Sequence, residues 1–106
     1  MAEEKGRRYT VYARVTKIRF APETSPEVAG VARGLAPILR RQQGFEGLHV
    51  LTNADTGEGI IVSLWESDSD AAATESSSSY IGQMSMLSSF LYKALIPETY
   101  EVSARV

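Results

Sequence analysis

Apolar and polar residues alternate in several short segments of the chain. From Tyr9 to Phe20 two interleaved apolar rows predict a strand that is covered on both faces. A second strand is predicted from Phe45 to about Thr52 and a third from Gly59 to Trp65, and the turn-forming residues 53–57 between them make the pair a hairpin. Alternation returns from Tyr100 to Val106 and predicts a final strand.

Apolar residues at helical spacing fill the interval between the first two strands. Ser25 and Pro26 predict the start of a helix, and its apolar positions run from Val28 to Leu39. Pro37 lies inside this pattern, so the helix should kink or restart near Leu35. Gly44 is placed to end it in the left-handed conformation.

A second helical segment follows the third strand. Ser67 or Ser69 is the predicted N-cap. The four serines at 76–79 should break or loosen the helix, because serine side chains compete for backbone hydrogen bonds. Helical spacing resumes from Tyr80 to Leu91, and Pro97 is the predicted stop.

The order strand, helix, strand, strand, helix, strand predicts an α+β domain of the ferredoxin-like βαββαβ type, with a four-stranded antiparallel sheet and both helices on one face. The domain is expected at residues 9–106, after a flexible N-terminal arm at residues 1–8. The other face of the sheet would carry an apolar patch too large for a monomer. Its expected members are Ile18, Phe20, Ile60, Val62 and Leu64. A homodimer through the sheet faces is the predicted solution.

Composition narrows the function classes. The 106 residues are 43% hydrophobic and 23% charged, as in an ordinary single globular domain. No apolar run approaches the ~20 residues of a membrane span, so we expect a soluble, cytoplasmic protein without a membrane partner. The net charge of −2 gives no field to attract nucleic acid. Five basic residues near the start favour a solvated face or arm over a phosphate site. They are Arg7, Arg8, Arg14, Lys17 and Arg19.

The ligand inventory excludes several kinds of centre. There is no cysteine and one histidine, His49. Thiol nucleophiles, iron–sulfur clusters, thiolate zinc sites and multi-histidine metal sites are therefore excluded. We expect no metal and no cofactor.

Three short segments resemble the antibiotic biosynthesis monooxygenase domain of the dimeric α/β barrel superfamily. They are Pro37–Gly47, with its Gly44-Phe45-Glu46-Gly47 entry into a strand, the Thr56-Gly57-Glu58 turn before a strand that ends in Trp65-Glu66-Ser67, and the closing Tyr100-Glu101-Val102. The likeness extends from about Tyr9 to Val106 and implies a dimeric α/β barrel. Some relatives oxidise quinol-like or anthrone-like molecules without cofactor, which implies an oxidoreductase that acts on a small planar aromatic substrate. Relatives that degrade haem use a helix histidine and a strand-one asparagine, and this chain has neither.

Cofactor-free oxidation needs a base, a donor for the developing oxyanion and a dry pocket. His49, Trp65 and Tyr80 are the candidate catalytic residues, because an imidazole titrates near neutrality and the indole and phenol donate hydrogen bonds. The candidate substrate-binding residues are Ser63, Met84, Leu87 and Tyr92.

Structural roles compete with each of these assignments. Trp65 can serve only to pack strand against helix, His49 to occupy an edge or interface, and Tyr80 and Met84 to fill the core. The alternative function is a non-catalytic, small-ligand-binding or structural dimer of the same fold.

Overall fold

A computed structural model describes residues 10–93 and 95–106 of the chain. The predicted arm at residues 1–8 lies outside the described residues, and so does Tyr9, the predicted start of the first strand. No helix in the described ranges is long and apolar enough to cross a membrane.

Within residues 10–93 and 95–106, four strands and four helices follow one another in the predicted order, with each of the two predicted helical segments divided in two. The strands are β1 (Tyr12–Arg19), β2 (Phe45–Asn53), β3 (Glu58–Trp65) and β4 (Glu98–Glu101). The helices are α1 (Ser25–Arg33), α2 (Leu35–Leu39), α3 (Asp68–Thr74) and α4 (Ser78–Ser88). A 3₁₀ turn at Pro22–Thr24 leads into α1.

The strands form one antiparallel sheet in the order β2-β3-β1-β4. This is the ferredoxin-like arrangement expected from the element order. Tyr12 pairs with Trp65 and Arg19 with Glu58 across β1 and β3, so even-numbered β1 residues share a face with odd-numbered β3 residues. The register between β2 and β3 shifts at a bulge between Phe45 and Gly47.

Local chemistry explains where the elements begin and end. The predicted first helix is divided at Gly34 into α1 and α2, upstream of Pro37. The helix ends at Leu39 rather than at Gly44, which lies in the turn before β2. Gly44 and Gly57 have φ of 81° and 77°, the left-handed region that glycine tolerates best. The Asn53 Oδ1 atom accepts hydrogen bonds from the backbone N–H groups of Asp55 and Thr56 and so stabilises the hairpin turn.

The second helical segment is interrupted at the serine run, as expected. The Ser67 side chain caps α3 and the Ser77 side chain caps α4. The segment ends at Ser88 rather than near Pro97. The hydroxyls of Ser88 and Ser89 bond to backbone carbonyls of the preceding turn, an alternative to continued helix. The last strand is also shorter than predicted and ends at Glu101.

The main core lies between the helices and one face of the sheet, which we call the helix face. The sheet contributes four residues to this core: Ile18 of β1, Phe20 directly after β1, and Ile61 and Trp65 of β3. The prediction that Ile18 and Phe20 belong to the opposite, outer face is therefore wrong. Both β1 rows contain apolar residues, and only the register with β3 decides which row meets the helices.

The outer face keeps the remaining apolar row. Ile60, Val62 and Leu64 of β3 lie there beside Val15 of β1, and all four are partly exposed. Leu51 and Tyr100 on the flanking strands are 52% and 50% exposed. A continuous apolar surface therefore remains uncovered on this side of the described chain.

Candidate functional site

Trp65 closes the joint between β3 and the turn into α3. Its side chain is 1% exposed, and the indole Nε1–H donates to the Ser63 hydroxyl over 2.8 Å. The Phe45 ring packs edge-on against the indole, with centroids 5.5 Å apart and planes at 70°. The indole therefore has both its apolar and its polar contacts within the chain, which is the geometry of a packing tryptophan.

A polar cluster lies beside this pair on the helix face. Arg14 is opposite Ser63 in the sheet register. Its Nη1 donates to the Thr99 hydroxyl over 2.6 Å, and its Nη2 forms an ion pair with Glu75 just after α3. The Arg14 and Glu75 side chains are 20% and 36% exposed. The cluster thus joins the sheet to the α3–α4 turn.

The buried Arg14 Nε is a donor of this cluster for which no residue within 10–93 and 95–106 supplies an acceptor. A buried donor without a partner is costly, and such groups in native proteins call for an explanation. An anionic oxygen near the guanidinium would satisfy it.

Tyr80 joins the cluster from the first turn of α4. Burial raises the pKa of its phenol above the ordinary value of 10.0; the Glu75 carboxylate adds to the rise and the Arg14 guanidinium opposes it. The hydroxyl is therefore protonated at neutral pH and available as a hydrogen-bond donor. We call the part of the helix face beside α3–α4 that carries Arg14, Ser63, Trp65, Tyr80 and Thr99 the candidate cleft.

The structure brings some predicted site residues together. Ser63 and Trp65 are hydrogen bonded, and Tyr80 and Met84 are half-buried against the same core. Leu87 is 1% exposed and belongs to the core itself.

Two predicted residues lie apart from this group. His49 is exposed on β2 and pairs with Val62, which puts it on the outer face, across the sheet from Trp65. Tyr92 is 67% exposed, and its backbone N–H donates to the Arg19 carbonyl at the far end of β1. Within one chain, neither shares a site with Trp65.

Sequence reasoning missed Arg14, Glu75 and Thr99. Arg14 was grouped with Lys17 and Arg19 as a solvated charge, but those two are exposed on the outer face and Arg14 is not. The alternation of side chains along β1 was the available signal, because Arg14 lies in the same row as Tyr12, Ile18 and Phe20. Glu75 and Thr99 carry no comparable local pattern.

The described residues contain no group of three His, Cys, Asp or Glu side chains arranged to hold a metal ion. The donors of the candidate cleft are instead a guanidinium, a phenol and two hydroxyls. This arrangement can bind an oxyanion or a hydroxylated aromatic ring.

Comparison with known proteins supports this picture of the fold. A protein from Streptomyces nogalater, SnoaB, described as a cofactor-independent oxygenase, superposes with a TM-score of 0.69 at 18% identity, over 92% of this chain and 95% of that one. A Nitrosomonas europaea protein, provisionally named an antibiotic biosynthesis monooxygenase, gives 0.74 at 14% identity, over 90% and 92%. A conserved protein from Methanosarcina mazei gives 0.74 at 16% identity, over 86% and 91%.

No curated protein matches the sequence at a significant level. The family model for antibiotic biosynthesis monooxygenases, in contrast, matches residues 11–81, from the start of β1 into α4. That range includes β3, the turn from Trp65 into α3, and three residues of the polar cluster, Arg14, Glu75 and Tyr80. The chain belongs to the antibiotic biosynthesis monooxygenase family.

Proposed function

We propose that the chain is a cofactor-independent monooxygenase that oxidises a small planar aromatic molecule of the quinol or anthrone type. The observation that carries the proposal is the family match over residues 11–81. SnoaB, which shares the fold, is described as a cofactor-independent oxygenase.

The chemistry suits a site without a cofactor. An ionised, electron-rich ring can transfer electrons to molecular oxygen itself, so the protein needs only to favour the anion and exclude water. For an anthrone, the ring methylene and one O₂ yield a ring carbonyl and one water. Both oxygen atoms and all four electrons are then accounted for.

Arg14 and Tyr80 are the proposed catalytic residues of the candidate cleft. The guanidinium of Arg14 favours the ionised substrate oxygen, and its unpartnered Nε–H supplies a donor. The Tyr80 hydroxyl, protonated at neutral pH, supplies a second donor as charge develops. The half-buried Met84 contributes apolar surface, and Ser63 holds the buried Trp65 indole in place. His49 takes no part in this version of the site.

We propose in addition that the functional unit is a homodimer through the outer faces. The support is the partly exposed row of Val15, Ile60, Val62 and Leu64. Face-to-face packing of two copies would remove this row from water and form the barrel that the sequence resemblance implies.

One observation favours the non-catalytic alternative, a ligand-binding or structural dimer. The Trp65 N–H already has its partner in Ser63, so the indole does not need a ligand to satisfy it. In that case the cleft residues would bind or merely stabilise, without turnover.

Oxygen uptake decides between the two. The purified chain, without added cofactor, is incubated with a panel of hydroxylated anthrones and hydroquinones, and oxygen consumption and product carbonyl are measured. We expect turnover, and we expect Arg14→Met to lower kcat/KM by about a hundredfold because the charge that favours the anion is lost. Arg41→Met, at an exposed arginine outside the cleft, is the matched control and should leave kcat/KM unchanged.

Two outcomes would reject the monooxygenase. Ligand binding without oxygen uptake across the panel would favour the binding module. Turnover that is equal in Arg14→Met and wild type would show that the reaction does not use this cluster.

A further inference from the structure

A concave surface adjoins Phe45, the residue whose ring packs against Trp65. It is a groove of about 430 Å³ between the α1–α2 segment and β2, the edge strand of the sheet. We call it the side groove. Its volume is in the range of small-molecule sites. It shares no lining residue with the polar cluster of the candidate cleft.

The helical wall of the side groove combines space with positive charge. Ala29, Arg33, Ala36 and Arg40 line it at spacings of four, three and four residues, which place them on one face of the helical path. Ala36 leaves room between the two arginines, which lie about two helical turns apart, and Ala29 extends the apolar surface beyond Arg33. The wall therefore alternates apolar and cationic positions, with Ala36 between the two cations.

The floor of the side groove is apolar and well supported. Phe45, Leu48 and Val50 line it, and all three pack against the buried core from partly exposed positions. Their inner surfaces are fixed by the core, and their outer surfaces remain open to a ligand. A flat or elongated apolar body fits such a floor better than a polar one.

Neither Arg33 nor Arg40 forms an ion pair with an acidic residue in the part of the chain that the structure describes. Among the described residues the ion pairs join Arg14 to Glu75 and Arg19 to Glu58. Within the described ranges, no acid therefore competes with an external anion for Arg33 or Arg40. A guanidinium fork matches a carboxylate, which it can bind through two parallel hydrogen bonds.

We infer that the side groove binds an apolar molecule that carries a carboxylate, with the apolar body on Phe45, Leu48 and Val50 and the carboxylate on one of the two arginines, Arg33 or Arg40. The inference does not rest on the proposed monooxygenase activity. A ligand here would also touch Phe45, whose ring contacts Trp65. Binding of a ligand in the side groove would therefore change the environment of Trp65 in the candidate cleft.

The test uses 2-naphthoate as probe and 2-naphthalenemethanol as its uncharged match. Backbone amide chemical shifts of the full chain are followed by NMR during titration. We expect saturable binding of 2-naphthoate, with the largest shifts in Phe45–Val50 and Ala29–Arg40. The alcohol should bind at least tenfold more weakly, because it has no charge for the arginines.

A charge-matched pair of variants isolates the two arginines. Arg33→Ser with Arg40→Ser should weaken 2-naphthoate binding at least tenfold and leave the alcohol unaffected. Arg41→Ser with Arg105→Ser changes the net charge equally at exposed positions outside the groove, and should leave both affinities unchanged. All four sites are exposed, so the folded state should persist in both variants.

The single tryptophan provides an independent readout. The Trp65 indole N–H resonance should shift as 2-naphthoate binds, and Phe45→Leu should reduce that shift, because the edge-to-face contact is lost.

Three results would overturn the inference. One is equal affinity of the two double variants for 2-naphthoate. Another is a set of shifts centred on Tyr80 and abolished by Arg14→Met, which would place the probe in the candidate cleft. The third is absence of probe binding together with a changed oligomeric state in the groove variant, which would assign the groove to a second copy of the chain.

Discussion

The two faces of the sheet are both apolar, yet they are buried very differently. On the helix face Phe20 and Trp65 are 1% exposed, and α1, α2 and α4 cover them. On the outer face Val62 and Leu64 are only partly buried, and nothing in the described chain covers their outer surface. The helix face is therefore completed by the described chain itself, whereas the outer face is left open on the side where we propose that a second copy packs. In the proposed homodimer, the two sides of the same strands would serve local structure and assembly separately.

The largest expected effect is on the helix face. Phe20→Ala should lower the free energy of unfolding by about 3–5 kcal/mol, because it removes a fully buried ring and leaves a cavity. Urea denaturation followed by circular dichroism measures the change. Ile81→Ala, at a 54% exposed site on α4 and away from both sheet faces, is the control and should change it by less than about 0.5 kcal/mol. Equal losses in the two variants would contradict the burial of the Phe20 ring on the helix face.

The outer face is tested by charge. Val62 lies at the centre of the exposed row, between Val15 and His49 in the register. Val62→Glu should raise the dissociation constant of the proposed homodimer about a hundredfold, or about 2.8 kcal/mol, because a carboxylate would be buried against apolar side chains. Sedimentation equilibrium should show twice the 11.6 kDa chain mass for wild type and the chain mass for the variant.

Ile81→Glu serves as the control for Val62→Glu. Ile81 is 54% exposed on α4, away from the sheet, so the variant should remain dimeric. A wild-type chain that is monomeric at micromolar concentration would refute the dimer.

The difference between the two faces also shows which features of the fold could be predicted from the sequence. Caps, turn residues and the serine run are local signals, and they predicted the hairpin, the division of both helical segments and the order of strands and helices along the chain. The face of Ile18 and Phe20 could not be predicted, since β1 is apolar in both rows and the choice depends on pairing with β3, about 45 residues away.

In the candidate site, too, contacts between residues close in sequence could be predicted, and contacts between distant residues could not. Ser63 and Trp65 lie two residues apart on one strand, and their shared face was predicted from alternation. The Arg14–Glu75 ion pair joins residues 61 positions apart, so no local pattern could reveal it. His49 was selected for its chemistry alone, and the sheet register puts it on the outer face.

A smaller effect is expected from the polar contact inside the helix face. Ser63→Ala leaves the Trp65 N–H buried without its acceptor and should lower the free energy of unfolding by about 1–2 kcal/mol. Ser85→Ala, at an exposed position on α4, is the control and should be close to neutral or slightly stabilising. Stability unchanged by Ser63→Ala would mean that the indole finds another acceptor.

The smallest expected effect is on the titration of Tyr80, which distinguishes the buried polar cluster from an exposed one. The pKa of Tyr80 is raised first by burial, then by Glu75, and is held down by Arg14. The pKa of exposed Tyr100 is raised mainly by its hydrogen bond to Glu98. Because the folded-state pKa of Tyr80 exceeds the unfolded value of 10.0, its contribution to stability is complete below pH 10.0 and is lost as pH rises through the folded-state pKa.

Ultraviolet absorbance of tyrosinate against pH measures both groups, and Tyr80→Phe and Tyr100→Phe assign them. Arg14→Met should raise the pKa of Tyr80 further and Glu75→Gln should lower it, while neither should move that of Tyr100. Shifts of the same sign in the two variants would show that Tyr80 responds to a general loosening of the α3–α4 turn and not to the charges of the cluster.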